Sequence, residues 1–143
     1  MALDRRKFLG NTIAVAATLA APMVKAGSHG KPRVVVVGGG AGGATAARYL
    51  AKDSKGALDV TLIEPTRTYY TCFFSNLYLG GVKGISDIGH SYGRLAARGI
   101  NVVHDWAIGV DRDTKTVSLA GGGAVSYDKL ILSRSEERRV GKE

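Results

Sequence analysis

The chain has 143 residues and a formal charge of +8, which falls to +4 over residues 27–133, where 12 Lys and Arg stand against 8 Asp and Glu. No basic helix and no run of basic and aromatic residues lies in that body, so nucleic-acid binding has no support. The single cysteine, Cys72, excludes an intrachain disulfide, and the three scattered histidines offer no metal-ligand spacing.

The first 26 residues read as an export leader. Arg5-Arg6 precedes an apolar stretch from Thr12 to Val24, and Val24-Lys25-Ala26 offers small residues for cleavage. The stretch is shorter than the roughly 20 residues a bilayer crossing needs, so no stable membrane insertion is expected. The paired arginines point to the twin-arginine route, which carries folded proteins to the periplasm and suits a protein that loads its cofactor before export. Residues 27–32 are expected to be a linker, with His29 solvated. At the other end, Arg134-Ser135-Glu136-Glu137-Arg138-Arg139 is a charge run without apolar periodicity. Residues 134–143 are expected to be a non-native tail, which leaves residues 33–133 as the N-terminal part of a domain.

Arg33–Val37 carries four consecutive valines bounded by glycines, the pattern of a buried strand in a parallel sheet. Residues 38–43 form a glycine loop, and a helix is predicted from Ala44 to Lys52. Val60–Ile63 is the second strand, ended by Glu64-Pro65. Thr66 to Gly84 is a long connection holding a Tyr-Tyr-Thr-Cys-Phe-Phe cluster, and connections of that length are functional or carry a short helix. A helix is predicted from about Ser91 to Arg98, ended by Gly99. Ile100–His104 reads as a third strand. Three strand-like runs follow, at 107–110, 116–119 and 126–132, separated by turn residues at 111–113 and 121–123. The expected fold is α/β: a Rossmann-type FAD/NAD(P)-binding domain with a βαβ unit and a β-meander, incomplete.

Gly38-x-Gly40-x-x-Gly43 is the dinucleotide fingerprint in its required context, between a strand and a helix. Gly38 permits the tight turn, Gly40 lets the backbone approach a pyrophosphate, and Gly43 lets the helix pack close to the strand. Ala41 and Gly42 complete the loop, whose N–H groups and positive helix end attract phosphates. Glu64 lies 21 residues after Gly43, with Pro65 beside it, where an acid accepts hydrogen bonds from a ribose hydroxyl. Both FAD and NAD use such a loop. The meander favours FAD by analogy of fold.

Cys72 is the one residue with chemistry of its own. A lone cysteine is most often a small buried apolar residue, but Tyr69, Tyr70, Phe73 and Phe74 around it suit a wall beside a flat ring system. His90 and His104 read as ordinary hydrogen-bonded histidines, Asp105 and Asp128 as turn or strand-end residues, and Trp106 as a packing residue.

Residues 34–47 (Val-Val-Val-Val-Gly-Gly-Gly-Ala-Gly-Gly-Ala-Thr-Ala-Ala), 60–65 (Val-Thr-Leu-Ile-Glu-Pro) and 69–72 (Tyr-Tyr-Thr-Cys) together resemble the flavoprotein subunit of flavocytochrome c sulfide dehydrogenases. Val-Val-His-Asp at 102–105 and Tyr-Asp-Lys at 127–129 extend the likeness. The resemblance implies FAD held covalently through a Cys72 thioether, and adenine contacts from the backbone at Trp106 and Ala107, where ordinary strand packing is the competing reading. It also implies hydrogen sulfide as substrate and a cytochrome c subunit as partner. The family's sulfide-attacking cysteines lie further along the chain than these residues, so no catalytic residue is expected here and activity alone is not expected. Two other readings stay open: a sulfide:quinone oxidoreductase or related pyridine nucleotide–disulfide-type flavoprotein, and an inert truncated nucleotide-binding module.

Overall fold

The computed structural model describes residues 30–134. The predicted leader at 1–26, His29 and the tail beyond Arg134 lie outside the described residues. The elements run β1 (Arg33–Val37), α1 (Ala41–Asp53), β2 (Asp59–Ile63), β3 (Thr68–Tyr70), α2 (Ser75–Leu79), a 3-10 turn (Ile85–Ile88), β4 (Gly89–Ser91), α3 (Gly93–Ala96), β5 (Asn101–Val103), β6 (Ala107–Asp111), β7 (Thr116–Leu119), β8 (Ala124–Ser126) and β9 (Lys129–Leu132).

The central sheet has the order β5-β2-β1-β9, and each pairing in it is parallel. Strand side chains alternate between faces, and here both faces are covered. Val36, Val60 and Leu62 pack on one side with Ala47 of α1, Tyr92 and Ile100. Val35, Val37 and Ile63 pack on the other with Val117, Leu119, Val125 and Tyr127 of the antiparallel meander β6-β7-β8. That two-sided burial explains the unbroken valine run. Burying a side chain such as Leu62 contributes about 2 kcal/mol.

Four details differ from the sequence reading. The first helix begins at Ala41, not Ala44, so Ala41, Gly42 and Gly43 lie in its first turn. Gly43 and Ala47, one turn apart, are its buried positions, and this close packing on the sheet outweighs the poor helix propensity of glycine. The predicted helix at 91–98 shrinks to Gly93–Ala96, because Ser91 is taken into β4. The run 126–132 divides in two. Its first residue closes the meander in β8, and Lys129–Leu132 crosses to lie beside β1. The long connection does carry a short helix, α2, but its start also forms a strand, β3, that pairs antiparallel with β4 beyond it, Thr68 opposite Ser91 and Tyr70 opposite Gly89.

Among the described residues, no helix is long and apolar enough to cross a membrane.

Candidate nucleotide site

The C-terminal ends of β1 and β2 open onto a cavity of about 570 Å³. Gly38, Gly40, Ala41 and Gly42 line it from the loop, Glu64 and Pro65 from the end of β2, and Trp106 and Ala107 from the start of the meander. Eight of the ten predicted cofactor residues therefore meet around one space. Tyr69, one of the aromatics expected beside a flat ring, also lines it, as do Thr66, Tyr92, Asp105, Ser133 and Arg134, which the sequence does not assign to the site.

The loop is built so that side chains would block it. Gly38 has φ of 103°, and a Cβ there would overlap the Ser133 carbonyl. A Cβ on Gly43 would overlap the Gly38 carbonyl oxygen, so Gly43 acts from behind the cavity by letting α1 approach. Gly40 faces open space, with nothing within 4 Å of an added Cβ. It also stands at the N-cap of α1, whose 13 residues give a full helix dipole. Among the described residues no acceptor meets the Gly40 N–H. An empty approach, an unpaired N–H and a helix N-terminus together fit a phosphate.

Glu64 is held rather than free. Its Oε2 accepts the Gly39 N–H at 2.7 Å, and its Oε1 accepts the Thr66 N–H at 3.1 Å and the Thr66 hydroxyl at 2.7 Å. A carboxylate has about four lone-pair positions. Three are used here, which leaves one on Oε2 for a hydroxyl donor.

Tyr92, only 5% exposed, donates its hydroxyl to the Gly39 carbonyl at 2.9 Å. Burial, then the nearby Glu64 charge, push its phenol above the usual range, so it stays a protonated donor. A Cβ on Gly39 would fall 2.6 Å from the Tyr92 hydroxyl and 2.7 Å from Glu64 Cγ. Gly39 is thus enclosed much as Gly38 and Gly43 are, although the fingerprint treats it as any residue.

His104 keeps an ordinary role, with Nδ1 3.1 Å from the Glu64 carbonyl and its ring tilted against Tyr92. Asp105 ties its strand end to the meander by accepting the Trp106 N–H at 2.7 Å and the Gly121 N–H at 3.0 Å. Trp106 is not the packing residue expected from sequence. It is 61% exposed and on the cavity wall.

Cys72 does not line the cavity. It is exposed, not the buried apolar residue that a lone cysteine usually is, and sits in the turn between β3 and α2. Its carbonyl accepts the Ser75 N–H at 3.3 Å. Phe73 and Phe74 beside it are 62% and 60% exposed, and Phe74 has φ of 71° at the N-cap of α2. His90 is exposed and faces Tyr69 across the hairpin. Among the described residues, no group of three His, Cys, Asp or Glu could hold a metal ion.

Known proteins resemble the chain along the same lines. The pyridine nucleotide-disulphide oxidoreductase family matches residues 32–135. The sulfide dehydrogenase [flavocytochrome c] flavoprotein chain of Chlorobaculum thiosulfatiphilum is 55% identical over 47 residues, 33% of this chain and 96% of the compared sequence. The mitochondrial sulfide:quinone oxidoreductase of Dictyostelium discoideum is 26% identical over 129 residues, 90% of this chain and 28% of that protein. Among solved structures, the sulfide:quinone oxidoreductase of Aquifex aeolicus superposes with a TM-score of 0.64 at 27% identity, over 71% of this chain and 24% of that one. The chain thus spans about a quarter of the two sulfide:quinone oxidoreductases. The resemblance to the sulfide dehydrogenase flavoprotein holds over its short stretch, and the expected α/β dinucleotide fold holds.

Proposed function

The chain belongs to the pyridine nucleotide-disulphide oxidoreductase family, and from that premise we propose that it is the FAD-holding part of a periplasmic flavoprotein that passes electrons from hydrogen sulfide to a cytochrome c subunit. One observation carries the nucleotide reading: the glycine loop, Glu64, Trp106 and Ala107 line a single cavity. Gly38, Gly40, Ala41 and Gly42 would hold the pyrophosphate, aided by the close packing at Gly43. Glu64, beside Pro65, would take a ribose hydroxyl on its free acceptor position. Trp106 and Ala107 would hold the adenine. Cys72 would tether the flavin, and its exposure beside Phe73 and Phe74 leaves the sulfur and an apolar wall open to a flat ring. FAD, when bound, supplies the acceptor for the electrons of sulfide.

Support for sulfide and cytochrome c comes from the 55% identity to the sulfide dehydrogenase flavoprotein chain. The paired arginines Arg5 and Arg6 support export by the twin-arginine route. Residues 33–133 form the nucleotide-holding body in this reading. Acid precipitation of the purified protein tests the tether: yellow colour should stay with the pellet and disappear from it in Cys72→Ser, whereas colour that washes out of the parent overturns it. A protein that never carries flavin would instead support an inert module.

The Dictyostelium match extends over 90% of this chain and favours quinone as a second acceptor. Sulfide-dependent reduction assays separate the two. Quinone reduction without cytochrome c reduction overturns the cytochrome assignment.

A further inference from the structure

Gly39 is gripped from both sides. Its N–H goes to Glu64 Oε2 at 2.7 Å and its carbonyl takes the Tyr92 hydroxyl at 2.9 Å. The carbonyl of Gly39 and the N–H of Gly40 belong to one peptide plane. That peptide is trans, as all described here are, so the two groups point in opposite directions. Capturing the carbonyl therefore turns the Gly40 N–H away from Tyr92. That N–H belongs to a cavity-lining residue and has no acceptor among the described residues.

Tyr92 is well placed to hold this peptide still. Its ring is buried with Val36, Leu62 and Ile100, and Leu95 packs against the same cluster. Its hydroxyl has one hydrogen to give, and the Gly39 carbonyl receives it. The loop peptide is otherwise flanked by glycines on both sides, the residue type with the greatest freedom to rotate a peptide. Without the hydroxyl, the Gly39–Gly40 peptide has no side-chain donor holding its carbonyl among the bonds described.

We propose that Tyr92 is a positioning residue of the nucleotide site: its hydroxyl fixes the Gly39–Gly40 peptide so that the Gly40 N–H is pre-aimed at a bound diphosphate. This rests on the dinucleotide reading of the cavity and adds to it a residue 53 positions from the loop. The role is distinct from that of Glu64, which serves the ribose. Removing the Tyr92 hydroxyl should weaken ligands that carry phosphates and spare those that lack them.

The test uses calorimetric titration of the flavin-free protein, in a Cys72→Ser background so that a tether cannot mask affinity. Tyr92→Phe keeps the buried ring and removes the donor. ADP should bind about tenfold more weakly, the scale of one hydrogen bond to a charged group, while adenosine affinity changes less than about twofold and the unliganded melting temperature stays near the parent's. Unchanged ADP affinity overturns the proposal. Equal losses for ADP and adenosine also overturn it, since they place the effect in the fold or at the ribose. A second measurement needs no variant: the Gly40 amide proton should exchange freely in the unliganded protein and become protected with ADP bound. A Gly40 amide left unprotected in the ADP complex overturns the proposal even if Tyr92→Phe does not fold. A parent protein that binds neither ADP nor FAD removes the dinucleotide reading itself, and this proposal with it. ADP binding with no Tyr92 dependence removes this proposal alone.

Discussion

Arg33 and Asp128, 95 positions apart in sequence, clasp each other at the corner where the chain leaves the meander for the parallel sheet. Asp128 Oδ2 accepts the Arg33 backbone N–H at 2.7 Å and its Nε at 3.2 Å, and Oδ1 accepts Nη2 at 3.1 Å. The Asp128 N–H returns a bond to the Arg33 carbonyl at 2.8 Å, and Arg33 Nη1 reaches the Ser126 hydroxyl. This clasp sets the register of β9 against β1, with Val34 opposite Lys129. That register brings Ser133 against Gly38 in the lining of the cavity, its N–H bonded to the Val37 carbonyl at 2.8 Å.

The clasp predicts an acid-dependent stability. Hydrogen bonds from the Arg33 side chain, then from its backbone N–H, pull the Asp128 carboxyl from 3.8 down to about 2. A folded value below the unfolded one means that the unfolded chain binds more protons between them, so the contribution is present above the unfolded value and is lost as pH falls towards 2. Asp128→Asn should lower the urea midpoint at about pH 6, and the gap from the parent should close as pH drops. An offset that stays constant down to pH 2 would show that the carboxylate charge is not its source.

Gly39 and Gly40 should respond differently to alanine. A Cβ on Gly39 meets Tyr92 and Glu64 inside 3 Å, so both must shift, and overpacking of this kind costs about 1–3 kcal/mol. Gly40→Ala meets nothing and should cost less than about 1 kcal/mol as an altered helix cap. Its effect should instead be on ligand affinity, about tenfold or more for ADP, because the methyl occupies the approach that Gly40 leaves open. Thermal melts and titrations of the two variants check the contrast, and equal melting losses would contradict it.

The contrast also marks how far the sequence reaches. Four valines between glycines, a fingerprint and an acid at the end of the next strand encode β1, the loop and Glu64 locally, and six of the lining residues (Gly38, Gly40, Ala41, Gly42, Glu64 and Pro65) follow from them, whereas Trp106 and Ala107 are expected only from the family resemblance. The hairpin of β3 and β4 was not legible, because strands of three residues carry no usable periodicity. The break at Tyr127-Asp128 was only half legible: Asp128 reads as a turn or strand-end residue, but the contact that turns the chain there comes from Arg33, far away in sequence. Tyr92 was hidden for the same reason: its partner is Gly39, and nothing local to residues 89–95 signals a glycine loop.

Glu64→Gln tests whether the carboxylate is needed as a multiple acceptor. The glutamine amide keeps one accepting oxygen and replaces the other with a donor. Either the Gly39 N–H or the Thr66 donors must then face another donor. Hydrogen bonds to charged groups are worth about 1.5–3 kcal/mol, so nucleotide affinity should fall about tenfold or more. The loss should appear with adenosine as well as ADP, because the ribose hydroxyl uses the remaining acceptor position of the same carboxylate. Calorimetry with both ligands checks this, and an effect confined to ADP would move the role of Glu64 away from the ribose.

Trp106 offers an optical reading of the same cavity. It is the chain's single tryptophan, it is 61% exposed, and it lies on the cavity wall. An indole on an open wall emits as a solvated ring, and a purine placed against it removes water and adds a stacking partner worth about 0.5–1.5 kcal/mol. Adding ADP should therefore quench or blue-shift its emission along the same saturation curve that calorimetry gives. Trp106→Phe should abolish the optical signal and retain most of the affinity, since an aromatic face remains. Trp106→Ala should weaken binding further, by about 1 kcal/mol relative to the parent. Binding that saturates by calorimetry with no change in emission would put the adenine elsewhere and leave Trp106 as a surface residue at the edge of the meander.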